Sequence, residues 1–524
     1  MKTSYFWMPC LLFATLLIVS CSPKAAPAPI VPEGAQAGDL TGLEACEFQP
    51  AGSETKYAAE CGTLVVPENW EVDGSRLIAL PVVRIPATGP NPAEPVFFLQ
   101  GGPGQSNFSW TPPDWLLENH TVVMVGYRGM EGSVTLACPE VNRLIKAHAG
   151  KDLFSEQARV EYRAAANQCA AALQKAGVDL SGYTVPGVVE DMEAVRSAWG
   201  YERINLFSQS YGTRVAQIYA YMHPDSLNRL VLIGVSTPGS FIDDPAVFDK
   251  MFEHISDLCA QDATCSSRTS DIARTVYEVN HNMPKRWLFF KIDPDTIRLG
   301  THFAFMSNAS MSMVFEAYLA AEEGDPSGLA MANLYVPMQP IDRQVFGDQS
   351  NKAGTLDRDK YDGIESISLG DSIMGGPLSE LFWPMAVDWP IQLIPKELRE
   401  FQETDVEMLL VNGTLDFATP PIALEKARPY FNKAQMVLLP EFSHTGDVQI
   451  LQPEAFKRLI TSYYDTGVAD SSLFVYQPLS FEPGMNLGKM AKALVAAMLV
   501  LPALIILGVL LAVYLIRRRR KVTS

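Results

Sequence analysis

The chain has 524 residues, 48% of them hydrophobic, which is too long for one simple domain and ample for a large core. Of 41 Lys and Arg, eight (Lys2, Lys489, Lys492, Arg517 to Arg520 and Lys521) lie outside 22–486, where all 59 Asp and Glu fall, leaving a net charge of −26 there. A surface of that sign disfavours nucleic acid as a partner and keeps a protein soluble, and it says little about a substrate.

Residues 5–20 are apolar after Lys2 and too short for a comfortable membrane span, so 1–21 reads as an export signal. Leu17-Ile18-Val19-Ser20-Cys21 resembles a bacterial lipobox, which would make Cys21 a lipidated N-terminus. The alternative is an ordinary signal peptide cleaved nearby. A Pro/Ala-rich stretch follows, and 22–44 reads as a flexible linker.

From 45 to 239 the pattern alternates strand and helix. Gly62–Pro67 and Leu77–Ile85 form an initial hairpin, and Pro95–Gln100 and Thr121–Gly126 are short buried strands. Ser155–Ala176 and Val188–Trp199 have helical spacing, followed by strand 203–207, helix 211–222 and strand 229–235. Residues 240–400 break this rhythm. They are rich in Met and aromatic residues, with helical patches at 245–258 and 309–323, and read as a cap inserted between two sheet strands. The rhythm returns over 401–466, with strands 407–412 and 436–439 and helices 421–430 and 453–465. The order predicts an α/β fold with a mostly parallel central sheet and helices on both faces. No internal repeat is present.

A connector, 467–492, leads to Ala493–Ile516, 24 residues without a charge, enough to cross a bilayer. Pro502 is tolerable in such a helix. The basic run Arg517 to Lys521 predicts that the tail 517–524 is cytoplasmic and the domain before it extracytoplasmic. Six cysteines between the two ends (Cys46, Cys61, Cys138, Cys169, Cys259, Cys265) fit disulfides in an exported chain. Local pairing is the least demanding of the possible connectivities, and the sequence does not choose among them. None has zinc-ligand spacing.

Chemistry is carried by four segments. Leu206-Phe207-Ser208-Gln209-Ser210-Tyr211-Gly212 ends a strand and opens a helix. Such a turn lifts the hydroxyl of Ser210 to its tip as a nucleophile. Serine needs an adjacent base, and His444, in the loop after a late strand, is the candidate. Asp416, after the strand 407–412, would hold the imidazole in one tautomer; the competing role is a cap for the helix starting near Pro420. Phe97-Phe98-Leu99-Gln100-Gly101-Gly102-Pro103-Gly104 follows a buried strand. An amide near Gly102, with the Tyr211 amide, would form an oxyanion hole; the alternative is an ordinary Gly/Pro turn. Parallel strands gather such loops at their C-terminal edge. No metal or organic cofactor is needed for a triad of this kind.

These residues resemble the proline iminopeptidase and tripeptidyl-aminopeptidase branch of the α/β hydrolases, the S33-type serine peptidases. The resemblance rests on Gly-Gly-Pro-Gly at 101–104, Tyr-Arg-Gly-x-x-Gly-Ser at 127–133, Ser-Tyr-Gly-Thr-Arg at 210–214 and Asn-Gly-Thr-x-Asp-x-x-Thr-Pro-Pro at 412–421. It implies an α/β-hydrolase fold, catalytic Ser210, Asp416 and His444, and an aminopeptidase acting on peptides with a free N-terminus. Three departures are visible: Gln100 where relatives have His, Gly126 where an Asp precedes Arg-Gly, and Ser208 in place of the first elbow Gly. A free α-ammonium calls for a carboxylate on the cap side, and Glu316 and Asp388 are chosen from a set that includes Glu322, Glu323 and Asp325; the competing role for each is a solvated cap charge. The leading reading is a membrane-anchored extracytoplasmic serine aminopeptidase. Its rivals are an esterase or lipase with the same triad and a non-catalytic surface binding protein on a hydrolase scaffold.

Overall fold

The computed structural model describes residues 28–339 and 343–522. Cys21 and the export signal lie outside the described residues. One sheet is built from β1 (Leu40–Phe48), β2 (Tyr57–Pro67), β3 (Leu77–Ile85), β4 (Ala93–Leu99), β5 (His120–Val125), β6 (Ile204–Gln209), β7 (Leu227–Ile233), β10 (Glu407–Gly413) and β11 (Ala434–Leu439). A two-stranded hairpin, β8 (Arg286–Trp287) and β9 (Phe290–Lys291), stands apart from it. The sheet order is β1-β2-β3-β5-β4-β6-β7-β10-β11. β1, β2, β3 and β5 pair antiparallel, and β5, β4, β6, β7, β10 and β11 run parallel. This is the mostly parallel sheet expected from the alternation.

The period of two along each strand sorts its side chains between two cores. In β4, Val96 and Phe98 join Phe207, Leu409 and Val411 against the helix Pro453–Thr466. Phe97 and Leu99 face the other way, with Leu206 and Leu410, against Val185–Ala198 and Tyr211–Met222. Full burial of each large apolar side chain contributes roughly 1.5–3 kcal/mol. The buried Arg128 guanidinium bridges Asp191 at 2.5 Å and donates to the carbonyls of Glu68 and Gly182 at 2.7 Å each. A charge so deeply buried is tolerable only with such complete pairing.

The linker 22–44 gives way earlier than expected, because β1 starts at Leu40. Its burial alternates weakly, so the strand has little signal of its own. It is held by pairing with β2 and by the disulfide Cys46–Cys61. Cys138–Cys169 and Cys259–Cys265 are the other two bridges, all three local.

Between β7 and β10 the chain forms a helical insert, with helices Pro245–Gln261, Ile272–His281, Pro294–Ala304, Asn308–Glu322, Ser327–Tyr335, Phe346–Asp357 and Pro377–Ala386. Phe248, Phe252, Ile255, Phe305, Met311 and Phe315 build a core of its own, which also takes in Leu415 and Phe417 from the loop after β10. The terminal helix runs from Leu487 to Val522 through Pro502. It is long and apolar enough to cross a membrane, and none of its apolar window is buried against protein.

Candidate active site

β6 passes into the helix Tyr211–Met222 through Ser210, which has φ +53° and ψ −126°. A side-chain-bearing residue held there stores on the order of 1–3 kcal/mol of strain, so its surroundings must enforce it. They do so from three sides. Ser210 N–H donates to Ile233 O at 2.9 Å, and Thr213 Oγ1 donates to Ser210 O at 2.6 Å. Gly212 lets the helix start against β4, since a Cβ there would lie 2.2 Å from Leu99 O. Ser208, in place of the first elbow glycine, is buried and donates its hydroxyl to Val231 O at 2.9 Å. Among the described residues Ser210 Oγ has no hydrogen-bond partner.

His444 Nδ1 lies 2.8 Å from Asp416 Oδ2 and 2.9 Å from Oδ1. Asp416 is fully buried and also accepts Ala418 N–H (3.0 Å), Thr419 N–H (2.9 Å) and Thr419 Oγ1–H (2.7 Å). The helix that follows begins only at Ile422, after Pro421, so Asp416 does not cap it. His444 itself precedes the helix Thr445–Ile450. With Nδ1 engaged by the carboxylate, Nε2 is left as the basic nitrogen. The ring stands beside Gly234, where a Cβ would come within 3.0 Å of His444 Cε1. Gly234 follows Ile233, the residue that takes the Ser210 N–H. The Ser210 main chain and the His444 ring thus both adjoin the end of β7.

The loop after β4 closes the third side. A Cβ on Gly101 would lie 3.0 Å from Ser210 Cβ and 3.5 Å from its Oγ. Gly102, at φ +124°, lies in this loop, and Tyr211 is the first residue of its helix, where a main-chain N–H has no intrahelical partner. Gln100 fixes the loop: its Oε1 accepts Gly101 N–H at 2.8 Å and a bond from Gln209 Nε2, while its Nε2 donates to Ser109 Oγ at 2.6 Å. Gln449, on the helix after His444, donates to Gln209 Oε1 at 2.8 Å. A chain of amides therefore links the loop after β4, the turn at Ser210 and the helix after His444.

Two residues behind this loop escaped the sequence reading. Asn107 is fully buried, accepts Gln100 N–H at 2.9 Å and donates to Phe98 O and Val125 O. Glu131 accepts Asn107 N–H at 2.9 Å and Tyr127 N–H at 2.8 Å. Burial pushes its carboxyl up to about 7. Gly126 has no room for a side chain, because a Cβ would meet Pro81 and Glu131 at 2.9 Å. Glu131, four residues after Tyr127, and Pro81 fill the space beside Gly126.

The helical insert touches each part. Phe417 packs against Phe248, Phe252 and Phe305, and Ser443 Oγ donates to Phe305 O. Asp348 accepts Gly104 N–H at 3.1 Å, and Gln344 donates to Pro103 O at 2.7 Å. His302 is also buried here, 1% exposed, with neither ring nitrogen partnered among the described residues. Burial lowers its pKa, and the charges of Asp243, His444 and Asp416 are near enough to act on it.

Glu316 and Asp388 are engaged elsewhere. Arg268 pairs with Glu316, which also accepts Asn486 Nδ2–H at 3.0 Å, and Arg163 pairs with Asp388. Neither bonds any part of the Ser210, Asp416 or His444 loops. Sequence position gave no information on these partners, which come from distant segments.

A family model described as the alpha/beta hydrolase fold matches residues 94–446. Among curated proteins, the chain is 25% identical over 191 residues to a tripeptidyl aminopeptidase of Streptomyces lividans, covering 34% of this chain and 36% of that protein. It is 26% identical over 262 residues to the serine protease Hip1 of Mycobacterium tuberculosis, covering 46% of this chain and 48% of that one. The matches thus span a third to a half of these relatives' length. A solved serine hydrolase of Cycloclasticus zankles aligns at 13% identity and a TM-score of 0.36, over 82% of this chain and 100% of that chain.

Proposed function

This chain belongs to the alpha/beta hydrolase fold family, and from that premise we propose that it is a membrane-anchored extracytoplasmic serine aminopeptidase of the S33 type. Its substrate class is peptides with a free N-terminus, in keeping with the Streptomyces relative being a tripeptidyl aminopeptidase. The observation that carries the reading is the bond from His444 Nδ1 to Asp416, 2.8 Å, beside a serine held at φ +53°.

Ser210 Oγ attacks the scissile carbonyl carbon while His444 Nε2 takes its proton. The Ser210–His444 hydrogen bond forms as substrate settles, since such bonds tighten in the complex. The carbonyl oxygen, now an anion, accepts from the Tyr211 and Gly102 N–H groups. Each such donor is worth roughly 2.7–4 kcal/mol to the transition state. His444 then returns the proton to the leaving amine, and the N-terminal part of the peptide stays as an ester on Ser210. Water, deprotonated by the same imidazole, releases it. Asp416 keeps Nδ1 protonated and balances the imidazolium. The insert acts as the cap over this site. His302, buried with both ring nitrogens unpartnered among the described residues, is its recognition group for a polar group of the peptide.

The test is labelling and turnover on the full chain in detergent. A fluorophosphonate should label the parent and not Ser210→Ala, and aminoacyl or tripeptidyl amides should be cleaved. Ester turnover without amide turnover would point to an esterase. Absence of label on folded protein would leave a binding protein.

A further inference from the structure

The hairpin of the insert runs against the chemistry of the rest of the surface. Arg286 pairs with Lys291 and Trp287 with Phe290, leaving Leu288 and Phe289 as a two-residue turn. Leu288 has φ +52°, a conformation that such turns normally give to Gly or Asn. Leu288 is 58% exposed and Phe289 62%. Below them, Phe290 lies with its ring 4.5 Å from Phe289 and 6.0 Å from Trp287, and both Trp287 and Phe290 lean on the core of the insert. A strained turn with an apolar tip breaks the local rules without a gain inside the fold, and that is where function is expected.

Charge points the same way. Lys285, Arg286 and Lys291 are exposed, and among the described residues none has an acidic partner within 4 Å. Arg286 and Lys291 stand directly opposite one another, an unfavourable pairing of like charges. In a chain of net charge −18 this cluster of unpaired cations calls for an outside anion.

Position supplies the occupant. Asn333 Nδ2 donates to Lys291 O at 3.2 Å, and Asn333 belongs to the helix Ser327–Tyr335. The first turn of that helix packs on the root of the terminal helix, where a Cβ on Gly488 would come within 2.9 Å of Ser327 Oγ. Lys492 pairs with Asp325 at 2.6 Å at the same corner. Ser327 and Asn333 are six residues apart, about 9 Å of helix, so one short helix joins the hairpin base to the helix root. Leu334, Tyr335 and Met338, at or just past the end of this helix that bonds the hairpin, are exposed too.

We propose that Lys285–Lys291 is a second membrane contact, in which Leu288 and Phe289 enter the interface of an anionic bilayer and Lys285, Arg286 and Lys291 meet its headgroups. The proposal rests on the reading of 493–516 as a membrane span. An apolar tip with flanking cations is the composition that binds at such an interface.

The test uses the full chain in nanodiscs containing phosphatidylglycerol, with nitroxides at Phe289→Cys, Leu504→Cys and Thr55→Cys in separate samples. The six cysteines of the described residues are all in disulfides, and the parent chain serves as the labelling blank. The expected result is collision with oxygen over a water-soluble nickel chelate at 504 and at 289, and the reverse at the exposed Thr55. Replacing Lys285, Arg286 and Lys291 together by Glu should shift position 289 to the behaviour of 55 while leaving 504 unchanged. If 289 behaves as 55 while 504 reads lipid, the hairpin proposal is overturned and the span stands. If 504 also reads water, the span fails and the hairpin proposal falls with it. Spin–spin broadening at 289, from a second copy seated on the hairpin, overturns it as well.

Discussion

The ring of Phe417 meets the ring of Phe305 edge-on, with centroids 4.8 Å apart. One ring follows Asp416 in the chain and the other belongs to the insert, whose carbonyl at 305 also takes the Ser443 hydroxyl. The two loops that carry the proposed acid and base are thus seated in the core of the insert, not only on the sheet. Phe417→Ala should cost about 3–5 kcal/mol of stability, the usual range for emptying a buried aromatic site. It should also lower kcat on the order of 10²-fold, because a displacement of about 1 Å at the acid loop misplaces His444. Denaturant unfolding and steady-state kinetics on one preparation check both. A stability loss with kcat unchanged would separate the insert from the chemistry.

Asp416→Asn tests the tautomer argument. The amide fits the same space and keeps the loop, but its NH₂ can donate to His444 Nδ1 and so move the ring proton to Nε2. A nitrogen that already carries a proton cannot accept one from Ser210. We expect kcat to fall roughly 10⁴-fold with little change in KM. A loss under tenfold would remove Asp416 from the triad.

Much of the site could be read from local sequence because each part is a strand end followed by a turn, and strand ends are short-range events. Ser210 and Asp416 each follow a buried apolar strand and His444 an apolar but half-exposed edge strand, and the parallel sheet sets the C-terminal edges of β6, β10 and β11 on one side. What sequence could not supply were contacts set by distant packing. Glu316 looked available for a substrate amine, yet Arg268 and Asn486 occupy it. Glu131 carries no motif of its own, and its role follows from the space denied to Gly126 by Pro81. β1 was hidden because a nearly unburied strand has no hydrophobic alternation to display.

Glu131 predicts a pH dependence of stability. Burial raises its carboxyl from 4.5 to about 7 in the folded protein. Between those values the folded state keeps a proton that the unfolded chain has released, so stability falls as pH rises through this window. Below it the contribution is fully present, and above about 7 it is lost. The shift corresponds to about 3 kcal/mol. Glu131→Gln does not titrate, and although it loses one of the two N–H bonds, this part of the slope should vanish. Denaturant midpoints of both proteins at pH 5 and pH 8 give the comparison. Parallel pH dependences would show that Glu131 ionises freely in the fold.

His302 separates recognition from packing. An imidazole with both nitrogens buried and unpartnered costs about 1–3 kcal/mol per unsatisfied group, so an apolar ring of similar size should be neutral or stabilising in its place. His302→Phe should therefore raise the unfolding midpoint or leave it unchanged. If the imidazole binds a polar group of the peptide, the same substitution should raise KM on the order of tenfold, the value of one hydrogen bond, while kcat changes less. His302→Gln, which keeps a donor and an acceptor, should recover part of that loss. A more stable His302→Phe with an unaltered KM would assign the residue to packing alone.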